Sequence, residues 1–144
     1  MKTTTAALAL AALVLAFPAA SRDVPGSPAA VFLLAPHLEQ VKATSDVAVT
    51  AATVGSGQLV LDVIDGKAQA AVVAMTLPEA MAAAREAAWQ EGRMLVVPEG
   101  LQFHEVARYE SNARPVGFVT VGAPSPQLEK VMGYLRSKQG LYGR

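Results

Sequence analysis

The chain has 144 residues, 52% hydrophobic and 17% charged, with twelve basic residues against twelve acidic ones. That is one domain's length, apolar enough to bury a core and not disordered by composition. The lack of net charge removes the electrostatic ground for a nucleic-acid or anionic-membrane partner, and the lack of cysteine excludes disulfides, thiolate metal sites and cysteine nucleophiles.

In chain order, the first feature is Lys2 followed by an unbroken apolar run over residues 6–17, then Pro18 and the small residues Ala19, Ala20 and Ser21. The run is short for a bilayer span and has the order of a secretory signal. The expectation is a signal peptide over residues 1–21, a mature domain over 22–144, and a periplasmic or secreted location with no stable membrane span after cleavage.

Ser27 and Pro28 introduce an apolar segment over residues 29–43, with Pro36 inside it. Proline lacks an amide hydrogen, so a kink or restart is expected there. Residues 47–54 alternate as a strand, and Gly55, Ser56 and Gly57 then open a helix with Leu59, Val60, Val63 and Ile64 on one face. Gly66 is its expected stop. Residues 70–75 form a short, continuously apolar run that suits a strand buried on both faces of a parallel sheet.

Thr76, Pro78 and Glu79 spell a capping box, predicting a helix to about Glu91 that buries Leu77, Met81, Ala84 and Ala88 and stops at Gly92. Residues 93–97, 103–109 and 116–121 read as strands, the last two separated by a polar turn around Ser111 and Asn112. Ser125 and Pro126 start a final helix with an apolar stripe of Leu128, Val131, Met132 and Leu135. Strands and helices alternate, which predicts an α/β fold with a mostly parallel sheet flanked by helices.

The residues around Gly55 carry the chemistry. A strand delivers them to a helix start, where free amides and the helix dipole favour a negative charge: phosphate, sulfate, molybdate or carboxylate. Glycine lets a ligand approach the backbone, and the Ser56 hydroxyl adds a donor. A serine here also serves as a plain N-cap with no ligand. Ser27 and Thr76 stand at similar helix starts, so three hydroxyls can converge on one oxyanion at the carboxyl edge of the sheet. The ligand-binding set is therefore Ser27, Gly55, Ser56, Gly57 and Thr76. The two histidines, His37 and His104, show no metal spacing and no nucleophile partner. An enzyme would need His104 to meet Ser56 or Asp62 in three dimensions. No catalytic residue, metal or cofactor is expected.

The run from Gly55 to Ala71 (glycine-serine-glycine, helix, Asp65-Gly66, strand) resembles the phosphate-type periplasmic substrate-binding proteins of ABC uptake systems. Thr76-Leu77 falls where that family ends its next strand with a polar residue entering a helix. Residues 114–126 are similar to its lead into the C-terminal helix, and Gly26-Ser27 to its first ligand-binding turn. The resemblance implies a single lobe of a periplasmic-binding-protein-like fold, a bound oxyanion or small polar solute, and an ABC transporter permease as partner. That family clamps its ligand between two lobes. Here the second lobe is missing between about Tyr109 and Arg114, Thr53 and Val54 replace the charged residues before the turn, and no arginine is evident at the site. The alternative is a ligand-free interaction or accessory module derived from such a lobe, dimeric through the surface left open.

Overall fold

A computed structural model describes residues 23–109 and 114–142. The expected signal peptide at 1–21 and the turn at Ser111 and Asn112 lie outside the described residues. The elements are β1 (Val24–Gly26), α1 (Pro28–Ser45), β2 (Val49–Ala51), α2 (Ser56–Ile64), β3 (Ala71–Val73), α3 (Leu77–Gln90), β4 (Leu101–Tyr109), β5 (Arg114–Val121) and α4 (Pro126–Tyr142).

The five strands form one sheet in the order β2-β1-β3-β5-β4. β1 pairs in parallel with β2 and β3, whereas β5 pairs antiparallel with both β3 and β4. The class is α/β as expected, but the sheet is mixed rather than mostly parallel. Chain length explains the difference. A parallel crossover needs a dozen or more residues, and the link from Tyr109 to Arg114 is far shorter, so β4 and β5 must form a hairpin. Their register runs from Leu101↔Val121 to Tyr109↔Arg114, with an irregularity between Glu105 and Ala107.

Helices cover both faces of the sheet. The connections β1-α1-β2 and β2-α2-β3 step across it in opposite directions. Right-handed crossovers then place α1 and α2 on opposite faces. One core holds Leu34 and Val41 of α1 and Leu128, Val131, Met132 and Leu135 of α4 against Val72 and Phe118. The other holds Leu59, Val60 and Val63 of α2 and Ala80 and Ala84 of α3 against Ala71, Val73 and Val119. Successive residues of β3 thus enter opposite cores, and all three are fully buried, as the apolar run predicted.

Several local signals act as read. Gly66 sits at φ 78° behind α2; its amide donates to Val63 and that of Lys67 to Asp62, the paired bonds of a Schellman stop. Thr76 and Glu79 complete the reciprocal capping box of α3, and Ser125 caps α4 through the Leu128 amide at 3.2 Å.

Two expectations need correction, and the one at Pro36 is narrowed. α1 passes Pro36 without restarting. The bond lost there belongs to the carbonyl of Phe32 on the outer face, where Phe32, Ala35 and Pro36 are all exposed and water can take its place, while Leu34 and Val41 hold the inner face. In α3, Ala80 is buried beside Ala84 and Ala88, while Leu77 and Met81 are only half-buried, a shift of the predicted stripe by about one residue. Residues 93–97 are not a strand. Leu95 packs inward, but Met94 and Val96 point to solvent with no neighbouring strand to pair, and β propensity without a ladder makes no strand.

Candidate functional site

β1, β2 and β3 are adjacent and parallel, so their carboxyl ends share one edge of the sheet. The turns into α2, α1 and α3 therefore open side by side, in the order Ser56, Ser27, Thr76. Two strand spacings, about 10 Å, separate the outer pair. The edge expected from sequence exists, but its three turns differ in what they offer.

Ser27 is 5% exposed, and its groups are already engaged. Its amide donates to the Val72 carbonyl at 3.0 Å and its hydroxyl accepts from the Ala30 amide at 3.3 Å. It is an ordinary cap that locks β1 to β3.

Thr76 is engaged as well. Its hydroxyl accepts from the Glu79 amide at 3.3 Å and donates to Glu79 Oε1 at 2.9 Å, and its own amide donates to the same oxygen at 3.1 Å. The Glu79 carboxylate thus occupies the start of α3. These Thr76 bonds, with the positive charge of Arg114, hold Glu79 below the usual glutamate pKa.

The turn at Gly55–Gly57 is different. Gly55, not Ser56, is the N-cap, and Ser56 is the first helical residue with its hydroxyl outside any cap bond. The first bond of the helix ladder runs from the Leu59 amide to the Gly55 carbonyl, so the amides of Ser56, Gly57 and Gln58 precede it. No acidic residue stands in this first turn, so its positive dipole end is not neutralised from within the helix.

Gly57 has another role than the one expected. A Cβ at this position would overlap the backbone carbonyl of Ala83, so glycine is needed for α2 to approach α3. Gly55 faces open space, and backbone approach by a ligand is left to it. A cavity of about 320 Å³ opens beside these glycines, lined also by Gln58, Ala83, Glu86, Ala87, Gln90 and Glu91. Its α3 wall is acidic, which directs an anion to the Gly55 side.

Sequence reasoning missed Arg114. β5 runs antiparallel to β3, so its first residue lies at the carboxyl edge. The guanidinium is half-exposed, 3.5 Å from Glu79 Oε2 and 3.5 Å from the Ala74 carbonyl. Only the hairpin brings this arginine to the edge; forty positions separate it from Ala74.

No protein-family model matches the chain, and no similar curated protein or solved structure was found. The site therefore rests on its own geometry.

The other polar residues lie elsewhere. His104 Nε2 is 3.0 Å from Thr120 Oγ1, whose hydroxyl donates to the Gly122 carbonyl at 2.9 Å. That hydroxyl proton is committed, so His104 Nε2 is the donor in its pair. His104 is in register with Phe118 and faces the α1/α4 layer, where Arg136 and Glu129 act on it. Ser56 and Asp62 belong to α2 on the opposite face, so no His104–Ser56 or His104–Asp62 constellation forms; Asp62 accepts instead from Gln58 Nε2 at 2.8 Å. His37 meets the Tyr134 ring edge-on between α1 and α4. Among the described residues no group of acidic and histidine side chains is placed to hold a metal, and no helix is long and apolar enough to cross a membrane.

Burial, and then the nearby Arg136 charge, push the His104 pKa below its ordinary value; Glu129 opposes them. The unfolded chain therefore takes up this proton more readily than the folded one. The stability this residue contributes is fully present above the unfolded value, about 6.5, and is lost as pH falls through the lower folded value. Urea midpoints should fall between pH 7 and pH 5, and His104→Asn should remove that component. Asp65, held low by its hydrogen bonds from Arg93, and Glu79 lose their contributions only in the carboxylate range, so the two windows separate.

Proposed function

We propose that the chain is an exported solute-binding-like domain that holds a small oxyanion, of phosphate, sulfate or molybdate type, or a small polar solute at the carboxyl edge of its sheet. The donors are the amides of Ser56 and Gly57 and the Ser56 hydroxyl, while Arg114, on β5 beyond β3, adds positive charge to the same edge from a distance. Gly55 gives the ligand access, while Ser27 and Thr76 hold the flanking turns in place. No bond is made or broken.

One observation carries this reading: three parallel strand ends open on one edge, and the first turn of α2 there has an acid-free dipole end and amides ahead of its ladder. Arg114 adds a positive charge to the same edge and so favours an anion there through its field. Glu79 beside that guanidinium offsets part of its charge, so modest affinity is expected. The resemblance to phosphate-type substrate-binding proteins agrees with this chemistry and makes an ABC transporter permease the natural partner.

Isothermal titration with phosphate, sulfate and molybdate tests the reading. At least one anion should bind, and Arg114→Ala should weaken it by no more than about threefold, most at low salt. No heat of binding at millimolar anion sinks it. That result would favour the competing reading, a ligand-free interaction module, which draws on the exposed Trp89.

A further inference from the structure

The outer face of α3 carries a pattern that the anion site uses only at Glu86, on the wall of its cavity. Ala82, Arg85, Glu86 and Trp89 are all exposed and lie three or four residues apart along one side of the helix. Trp89 is 70% exposed, and beyond the Gly92 turn Met94 and Val96 are each 82% exposed. Arg93 anchors that turn through Asp65 and Glu91, and Leu95 pins the strip from beneath. Trp89 gives roughly 150 Å² to this face on ordinary side-chain areas, a part of the about 800 Å² on one side of a standard interface. The remaining exposed length of α3 can supply the rest.

Charge decides what fits there. Arg85 and Glu86 are neighbours of opposite sign, and neither is in an ion pair among the described residues. The patch is balanced, so it suits neither a strongly acidic nor a strongly basic partner. It is complementary to itself. When two copies of a helix pack antiparallel about a two-fold axis, facing positions add to a constant. With the axis between residues 85 and 86, Arg85 faces Glu86 of the second copy, twice, and Trp89 faces Ala82, whose small side chain leaves room for the indole.

We propose that this face of α3 is a self-association surface whose occupant is a second copy of the chain, seated antiparallel with the two-fold axis between Arg85 and Glu86. The assembly is an isologous dimer that buries Trp89 and leaves the Arg114 side of the sheet edge free. The argument for the dimer does not rest on anion binding, although Glu86 lines both the seam and the cavity beside Gly55.

Sedimentation equilibrium on the full chain, from micromolar to sub-millimolar concentration, tests it. A monomer–dimer equilibrium is expected. Trp89→Ser should weaken it at least about tenfold. Arg85→Glu should weaken it as well, because it sets like charges face to face. Adding Glu86→Arg to that variant should restore the dimer, because the pairing is re-formed with its signs reversed. All the altered side chains are exposed, so melting curves at low concentration should stay near that of the original chain. A monomer at every concentration, or a dimer indifferent to Trp89→Ser and Arg85→Glu, overturns the surface. A double variant that stays as weak as Arg85→Glu alone overturns the two-fold placement.

Discussion

Gly57→Ala should destabilise the fold by about 3 kcal/mol, lowering the melting temperature by about 10 °C. The added methyl meets the backbone carbonyl of Ala83, and a carbonyl within a helix cannot rotate away as a side-chain end can. α2 and α3 must part, and with them the packing of Leu59, Val60 and Val63 on Ala80 and Ala84. Gly55→Ala is the control. Its Cβ enters open space and its φ of −71° suits any residue, so the loss should stay within about 1 kcal/mol, the weak preference for glycine over alanine at an N-cap. Thermal melts of the two variants measure the difference. Equal losses would mean that the close contact of α2 with α3 does not govern the turn.

The second large effect is expected at Phe118. This side chain is fully buried at the centre of β5, in register with Val72 on one side and His104 on the other, and packs in the core shared by α1 and α4. Phe118→Ala should cost about 4 kcal/mol, transfer free energy and residual cavity together. Domains of this size carry only about 5–15 kcal/mol of total stability, so a large part would be spent at one residue. Position in the sheet adds to the effect. Among the described residues β5 alone joins β4 to the parallel half, so loosening it should unfasten both halves in one transition. Urea unfolding followed by far-ultraviolet circular dichroism and by Trp89 fluorescence should therefore shift together. Separate transitions would mean that the halves are independent.

The two predictions differ in how visible their causes are from sequence. Phe118 lies within a run that reads as a strand, and its burial follows from that run. Gly57 invites a ligand-binding explanation, because nothing near it in sequence announces Ala83. Arg114 is a similar case: it sits in a segment singled out for its likeness to a C-terminal lead-in, yet its closeness to Glu79 follows from strand order.

What the amino-acid sequence determined by itself were features closed within one turn or one strand. Thr76 and Glu79 cap one another three residues apart, Gly66 and Gly92 take the positive φ that ends their helices, Ser125 and Pro126 start α4, and the alanine–valine run is buried on both faces. Each depends on neighbours at fixed offsets, so local stereochemistry suffices. Tertiary structure alone decided that β5 inserts antiparallel between β3 and β4, that Arg114 reaches the edge beside Thr76, that Gly57 serves a helix contact, and that Met94 and Val96 face solvent. Those outcomes depend on which distant segments share a hydrogen-bond ladder or a core, and that choice is made by the free energy of the whole chain.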